Sequence, residues 1–320
     1  MEILQQTFKH HLSVVEDLLQ KARGEENPAR WLYTNNLRTP FFMLEALCRV
    51  YKKIANKELF DKLNTHFKMV EDALGQIDYY DTFAKEINTN NKDSLEIKNY
   101  FVAEALKKEN ILNDILTEKG WLSGERIAKT RKKLAEIPYQ EEKEEVADIK
   151  NCYLNIIEKL NDFSESGDFK FDDIEDDVHE MRRKLRWLSI YPAAFMGVFQ
   201  YASRASADIH LEKYMTPKIV NSSFTKLPDL ITVDNPILLD KHYFFSLSWI
   251  IAEVGRLKDE GLKLEAYKEA LTAIRTQEPS TQEIHKYAES NLTLSEIIKE
   301  AERAIRPFFE EENLPHLIIG

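Results

Sequence analysis

Val178-His179-Glu180-Met181-Arg182-Arg183-Lys184-Leu185-Arg186-Trp187-Leu188 is the stretch that says most about this chain. Val178, Met181, Leu185 and Leu188 recur at the spacing of one helix face. On the same helix His179, Arg182, Arg183 and Arg186 fall at i, i+3, i+4 and i+7, in a second stripe. Such a helix buries one face and presents an imidazole and three guanidiniums on another. Each guanidinium can donate two parallel hydrogen bonds to phosphate oxygens, and a histidine among them donates more strongly once protonated. That is suitable chemistry for a polyanion laid along a helix.

The same helical period extends outward in both directions. Phe8, Leu12, Val15 and Leu19 form one stripe; Leu59, Leu63, Phe67, Val70 and Leu74 form another, which Gly75 is expected to stop. Val146, Ile149, Tyr153, Ile156, Leu160 and Phe163 make a third, and later stripes run through Leu264 to Ile274 and Leu294 to Ile305. A strand-like alternation is confined to Leu230–Val233. Glycine and proline number only 9 and 10 in 320 residues, where average usage gives about 22 and 16. Hairpin-rich folds, Rossmann folds and P-loop folds need glycine at tight or phosphate-facing turns, and neither glycine fingerprint occurs. The expectation is an all-α protein of roughly ten helices.

The formal charge is −11, so the global field opposes a specific nucleic-acid interface. Residues 1–150 carry 24 basic and 26 acidic groups, and 151–320 carry 20 and 29. Cys48 and Cys152 lie on helical patterns without metal spacing and read as small core residues. No apolar run approaches a membrane span, and Met1–His11 lacks a signal-peptide core, so the expectation is a cytoplasmic protein with no membrane partner.

The midpoint segment Ser164–Asp168 separates a near-neutral half from an acidic one and is the expected boundary, giving bundles 1–165 and 166–320. A weak repeat agrees with it. Lys98-Asn99-Tyr100-Phe101 leads to Gly120 as Lys241-His242-Tyr243-Phe244 leads to Gly261, and Asn35-x-x-Arg38 corresponds to His179-x-x-Arg182.

The His179–Arg186 stretch resembles the signature of the conserved histidine alpha-helical domain (CHAD) family, which has the form His-x-x-Arg followed by further basic residues, once per half. Phe67–Asp78 is similar to that family's helix ending in Leu-Gly followed by an acidic residue. The resemblance implies two pseudo-symmetric helical bundles and non-enzymatic binding of inorganic polyphosphate. The residues it assigns here are His179, Arg182, Arg183, Arg186 and, from the first half, Arg38. The first-half motif is degenerate: Asn35 replaces the histidine, Thr39 and Phe42 stand where basic groups would follow, and Pro40 removes a donor and is expected to shift the start of the helix or kink it. No cofactor is implied. The alternative function is a helical scaffold that keeps the fold and engages a protein partner.

The same residues admit other readings. The row could be a solvated charged face tied up by Glu175, Asp176 and Glu180. The acidic run 172–177 reads as a helix N-terminus favoured by the macrodipole. Asp172-Asp173-x-x-Asp176 also matches the metal–diphosphate motif of helical isoprenoid synthases. The second acidic site those enzymes need is replaced by Asn291-x-x-x-Ser295-x-x-x-Lys299, which carries a lysine. A di-iron bundle needs paired Glu-x-x-His, which is absent from the sequence, as is any nucleophile constellation. The 34 aromatic residues read as core, with Trp187 and Tyr191 as possible groove walls beside the arginines.

Overall fold

A computed structural model describes residues 2–87, 92–165, 170–202, 209–275, 277–311 and 313–319. The protein is 76% helical with a single two-stranded sheet among the described residues, an all-α class. Its first helices are α1 (Glu2–Ala22), α2 (Pro28–Thr34), α3 (Arg38–Ile54), α4 (Lys57–Glu86), α5 (Lys92–Glu118), α6 (Glu125–Ala135) and α7 (Glu142–Glu165). A π-helical turn, Ile174–His179, runs into α8 (Glu180–Ala194), then β1 (Phe199–Ala202), α9 (Pro217–Val220) and β2 (Ile237–Asp240). The chain closes with α10 (Lys241–Ile274), α11 (Thr281–Ala288) and α12 (Leu294–Glu310). No described helix is long and apolar enough to cross a membrane.

Two compact units result, and they do not part at residue 165. One comprises Leu4–Tyr139 and Lys263–Asn291; the other comprises Met1–Ile3, Gln140–Leu262 and Leu292–Gly320. The proposed linker is bounded by α7 on its N-terminal side, and its residues 166–169 lie outside those described. α7 belongs to the same unit as α8, and α10 continues past Leu262 into the first unit because neither Gly255 nor Gly261 stops it.

The first unit is built on helices whose starts are written in side chains. Asn27 Oδ1 accepts from Arg30 N at 3.2 Å with Pro28 at the first helical position, and Asn56 Oδ1 accepts from Leu59 N at 3.0 Å. Pro40 sits in the first turn of α3, where a missing amide costs nothing, so it sets the start of that helix and does not kink it. Rings fill the interior: Phe8 meets Tyr51 and Phe60, Phe41 meets Trp121 edge-on at 5.2 Å, and Phe83 and Phe101 meet Tyr267. Each such buried ring contributes roughly 1.5–3 kcal/mol relative to exposure. Cys48 is buried here and Cys152 in the second unit, and no disulfide joins them.

In the second unit Tyr153 of α7 donates to Leu188 O of α8 at 2.8 Å, and Tyr153, Tyr191 and Phe199 pack together. Trp187 and Tyr191 are buried, so they belong to this core and do not wall a groove. β1 and β2 pair in parallel, Phe199 opposite Ile237 and Ala202 opposite Asp240. Ile319 N donates to Leu238 O and Asp240 N to Leu317 O, which adds the chain's end antiparallel to β2. Leu230–Val233 is not a strand. Leu230 N and Ile231 N both donate to Met196 O, so these two bonds and not a strand ladder hold the segment there.

Two glycine expectations are corrected. Gly75 does not stop α4, which runs eleven residues further to Glu86. Gly120 and Gly261 are not equivalent: Gly120 turns the chain at φ +72°, whereas Gly261 lies within α10 under the side chain of Ile174.

Candidate functional site

The basic row begins at the π-helical turn. Asp173 Oδ1 accepts from Glu175 N at 2.7 Å and Asp176 N at 2.8 Å, a helix N-cap. Asp177 Oδ2 reaches back to accept from Asp172 N at 2.8 Å and Asp173 N at 3.0 Å. The acidic run therefore serves the start of its own helix. Val178 N bonds to Asp173 O, the i→i+5 pattern of a π turn. Among the described residues no three His, Cys, Asp or Glu side chains are grouped to hold a metal.

Ile174 and Val178 anchor the turn in the core, and Phe171 N donates to Glu302 of α12 at 2.8 Å. Met181, Leu185 and Leu188 are buried on the apolar face of α8. His179, Arg182 and Arg186 are half-buried and Arg183 is exposed, as the helical spacing predicts for the opposite side. His179 Nδ1 lies 2.9 Å from Glu175 Oε2, and Arg183 Nη2 lies 2.5 Å from Glu180 Oε2. Both carboxylates come from the row's own helical segment, one turn away. Arg182 reaches α10, where its guanidinium lies against Gly255.

Arg38 has a different setting. Asn35 is the C-cap of α2 and Asn36 takes φ 58°, so α3 starts only at Arg38 and the two motif positions share no helix. Arg38 Nε donates to Glu71 Oε1 at 2.7 Å and Nη1 to Asp78 Oδ2 at 3.2 Å. Its guanidinium lies over the Phe42 ring and against Gly75. Other basic side chains of the first unit are also paired: Lys52 with Asp61, Lys129 with Glu125 and Arg131 with Glu16.

The first unit also holds a polar network that the sequence reading missed. Arg30 bridges Asp81 at 2.6 Å and Glu109 at 2.7 Å, Tyr33 donates to Asp78 and Asp81, and Lys85 pairs with Asp81. Glu45, Glu71 and Glu109 are each at least 95% buried. Burial, reinforced by the charge of Glu71, pushes the Glu45 carboxyl up to about 8. Its Oε1 has no hydrogen-bond partner among the described residues. A signal for these carboxylates was present. Glu45 interrupts Phe41, Leu44 and Cys48, Glu71 follows Val70, and Glu109 sits between Ala105 and Leu112, each on an apolar stripe.

Chemically, His179 and Arg183 pair with local, partly exposed carboxylates, whereas Arg30 and Arg38 are tied to buried acids. The chain matches no family model, no curated protein and no solved structure.

Proposed function

We propose that the protein binds a polyanion without transforming it, with inorganic polyphosphate as the ligand and His179, Arg182, Arg183 and Arg186 as the binding row. The observation that carries this reading is the separation of faces on α8: Met181, Leu185 and Leu188 are buried, while the four basic side chains lie on the other side and retain solvent access. The competing carboxylates are weak rivals. Pairs of the Glu175–His179 and Glu180–Arg183 kind, one helical turn apart and partly exposed, contribute about 0.3–0.5 kcal/mol each. A chain of phosphates engaging several cations together exceeds that. Arg38 is left out of the row because exchanging its partner would strand Glu71, which is 5% exposed.

The test is titration with polyphosphate of the wild type and an Arg183→Ala/Arg186→Ala variant at low and moderate salt. Binding should weaken steeply with salt, since each neutralised phosphate releases counterions, and the double variant should lose most of it. Equal affinities, or none for either protein, overturn the proposal.

The scaffold alternative rests on a separate observation. Leu95, Val102 and Leu106 on α5 are 48%, 49% and 52% exposed. With Asn99 they follow the 4-3-4 spacing of a coiled-coil seam, which suits a partner helix.

A further inference from the structure

Glycine is less favourable than alanine in a helix interior, so a mid-helix glycine calls for a local cause. In α10 the cause at Gly255 is Arg182: a Cβ built there would lie 2.7 Å from Nε, 3.2 Å from Nη2 and 3.3 Å from Cζ of that side chain. In α4 the cause at Gly75 is Arg38, whose Nη2 would lie 2.6 Å from a Cβ. Each arginine rests its guanidinium on bare helix backbone.

The two settings then diverge. Around Gly75, Glu71 and Asp78 stand at i−4 and i+3 of the glycine and both receive Arg38. Around Gly255 the same helical positions hold Ile251 and Lys258. One glycine thus lies beneath an arginine fixed by carboxylates of the glycine's own helix. The other lies beneath an arginine of the basic row, with no carboxylate at those two positions.

From this we infer that Gly255 is a positioning residue for polyanion binding. By leaving room on α10 it sets the depth and plane of the Arg182 guanidinium, and so aligns the first arginine of the row with Arg183 and Arg186. The inference rests on the polyanion reading and deepens it. A methyl group at 255 meets the flexible end of a side chain, not backbone, so the helix tolerates it and the guanidinium is what moves.

The experiment compares Gly255→Ala, Gly75→Ala, Arg182→Ala and the Gly255→Ala/Arg182→Ala pair by calorimetric titration with inorganic polyphosphate, with thermal unfolding recorded for each. Gly255→Ala should weaken binding about fivefold or more while staying folded. Gly75→Ala should leave affinity within about twofold, because it disturbs an arginine outside the row. In the Arg182→Ala background Gly255→Ala should have no further effect, the non-additivity of a residue acting through its neighbour. Unchanged affinity in Gly255→Ala, or equal weakening with and without Arg182, overturns the inference while wild-type binding stands. Absence of wild-type binding overturns the polyanion reading and the inference together.

Discussion

Nε of Arg38 donates to Oε1 of Glu71 at 2.7 Å, and Glu71 is one of the most deeply buried carboxylates of the first unit. Removing one member of such a pair leaves the other charge without its partner, which costs more than the pair itself contributes. Arg38→Ala should therefore destabilise the protein by about 2 kcal/mol, below the full buried-pair penalty because Arg38 is 34% exposed and screened. The Arg38→Ala/Glu71→Gln pair should recover part of the loss. Urea denaturation of the single and double variants measures both, and an Arg38→Ala protein as stable as wild type would remove the ionic link from the account of this fold.

Glu45 makes stability depend on pH. Its folded-state value of about 8 lies above the ordinary carboxylate value of 4.5. Between those values the unfolded chain releases the proton while the folded chain keeps it, so stability falls as pH rises through that window. Glu45→Gln mimics the protonated form. It should be near neutral at pH ~4.5 and stabilising by a few kcal/mol, on the order of 2–4, at pH ~8. Unfolding curves at the two pH values decide it: the same effect at both would mean that folding leaves the titration of Glu45 unshifted.

Local acids compete with any polyanion for the α8 row. Glu175→Gln and Glu180→Gln free His179 and Arg183 respectively and should each tighten polyphosphate binding by about twofold to threefold, matching the small value of such pairs. Asp176→Asn should tighten it as well, by removing an exposed repulsive charge. Asp177→Asn should show a mixed effect, because Asp177 Oδ2 also holds the amides of Asp172 and Asp173. Weaker binding in Glu180→Gln would indicate that the carboxylate orients Arg183 and does not mask it.

Gly197 holds φ +124° where a Cβ would fall 2.0 Å from the carbonyl oxygen of Ile231. Backbone cannot yield as a side chain can, so Gly197→Ala should cost on the order of 3 kcal/mol or more from strain and displaced packing. The expected readout is a lower melting temperature with loss of protection at the amides of Leu230 and Ile231, which donate to Met196 O. Full protection of both amides in a stable Gly197→Ala protein would contradict this role.

The all-α class was legible in the sequence because it depends on short-range facts: the apolar period of 3.6 and the scarcity of glycine. The faces of α8 were legible for the same reason, since helical spacing alone separates Met181, Leu185 and Leu188 from His179, Arg182, Arg183 and Arg186. The unit boundary was not. A helix as long as α10 carries no local mark of where its neighbours change, and Gly75 in α4 reads as a stop until the Arg38 side chain above it is known. Nor did local sequence distinguish Arg38 from Arg182, two arginines in similar motifs. Their settings depend on carboxylates and glycines brought beside them from other helices: Glu71, Asp78 and Gly75 for one, Gly255 for the other. Charge acts through distance in space, and that distance is decided only when the helices pack.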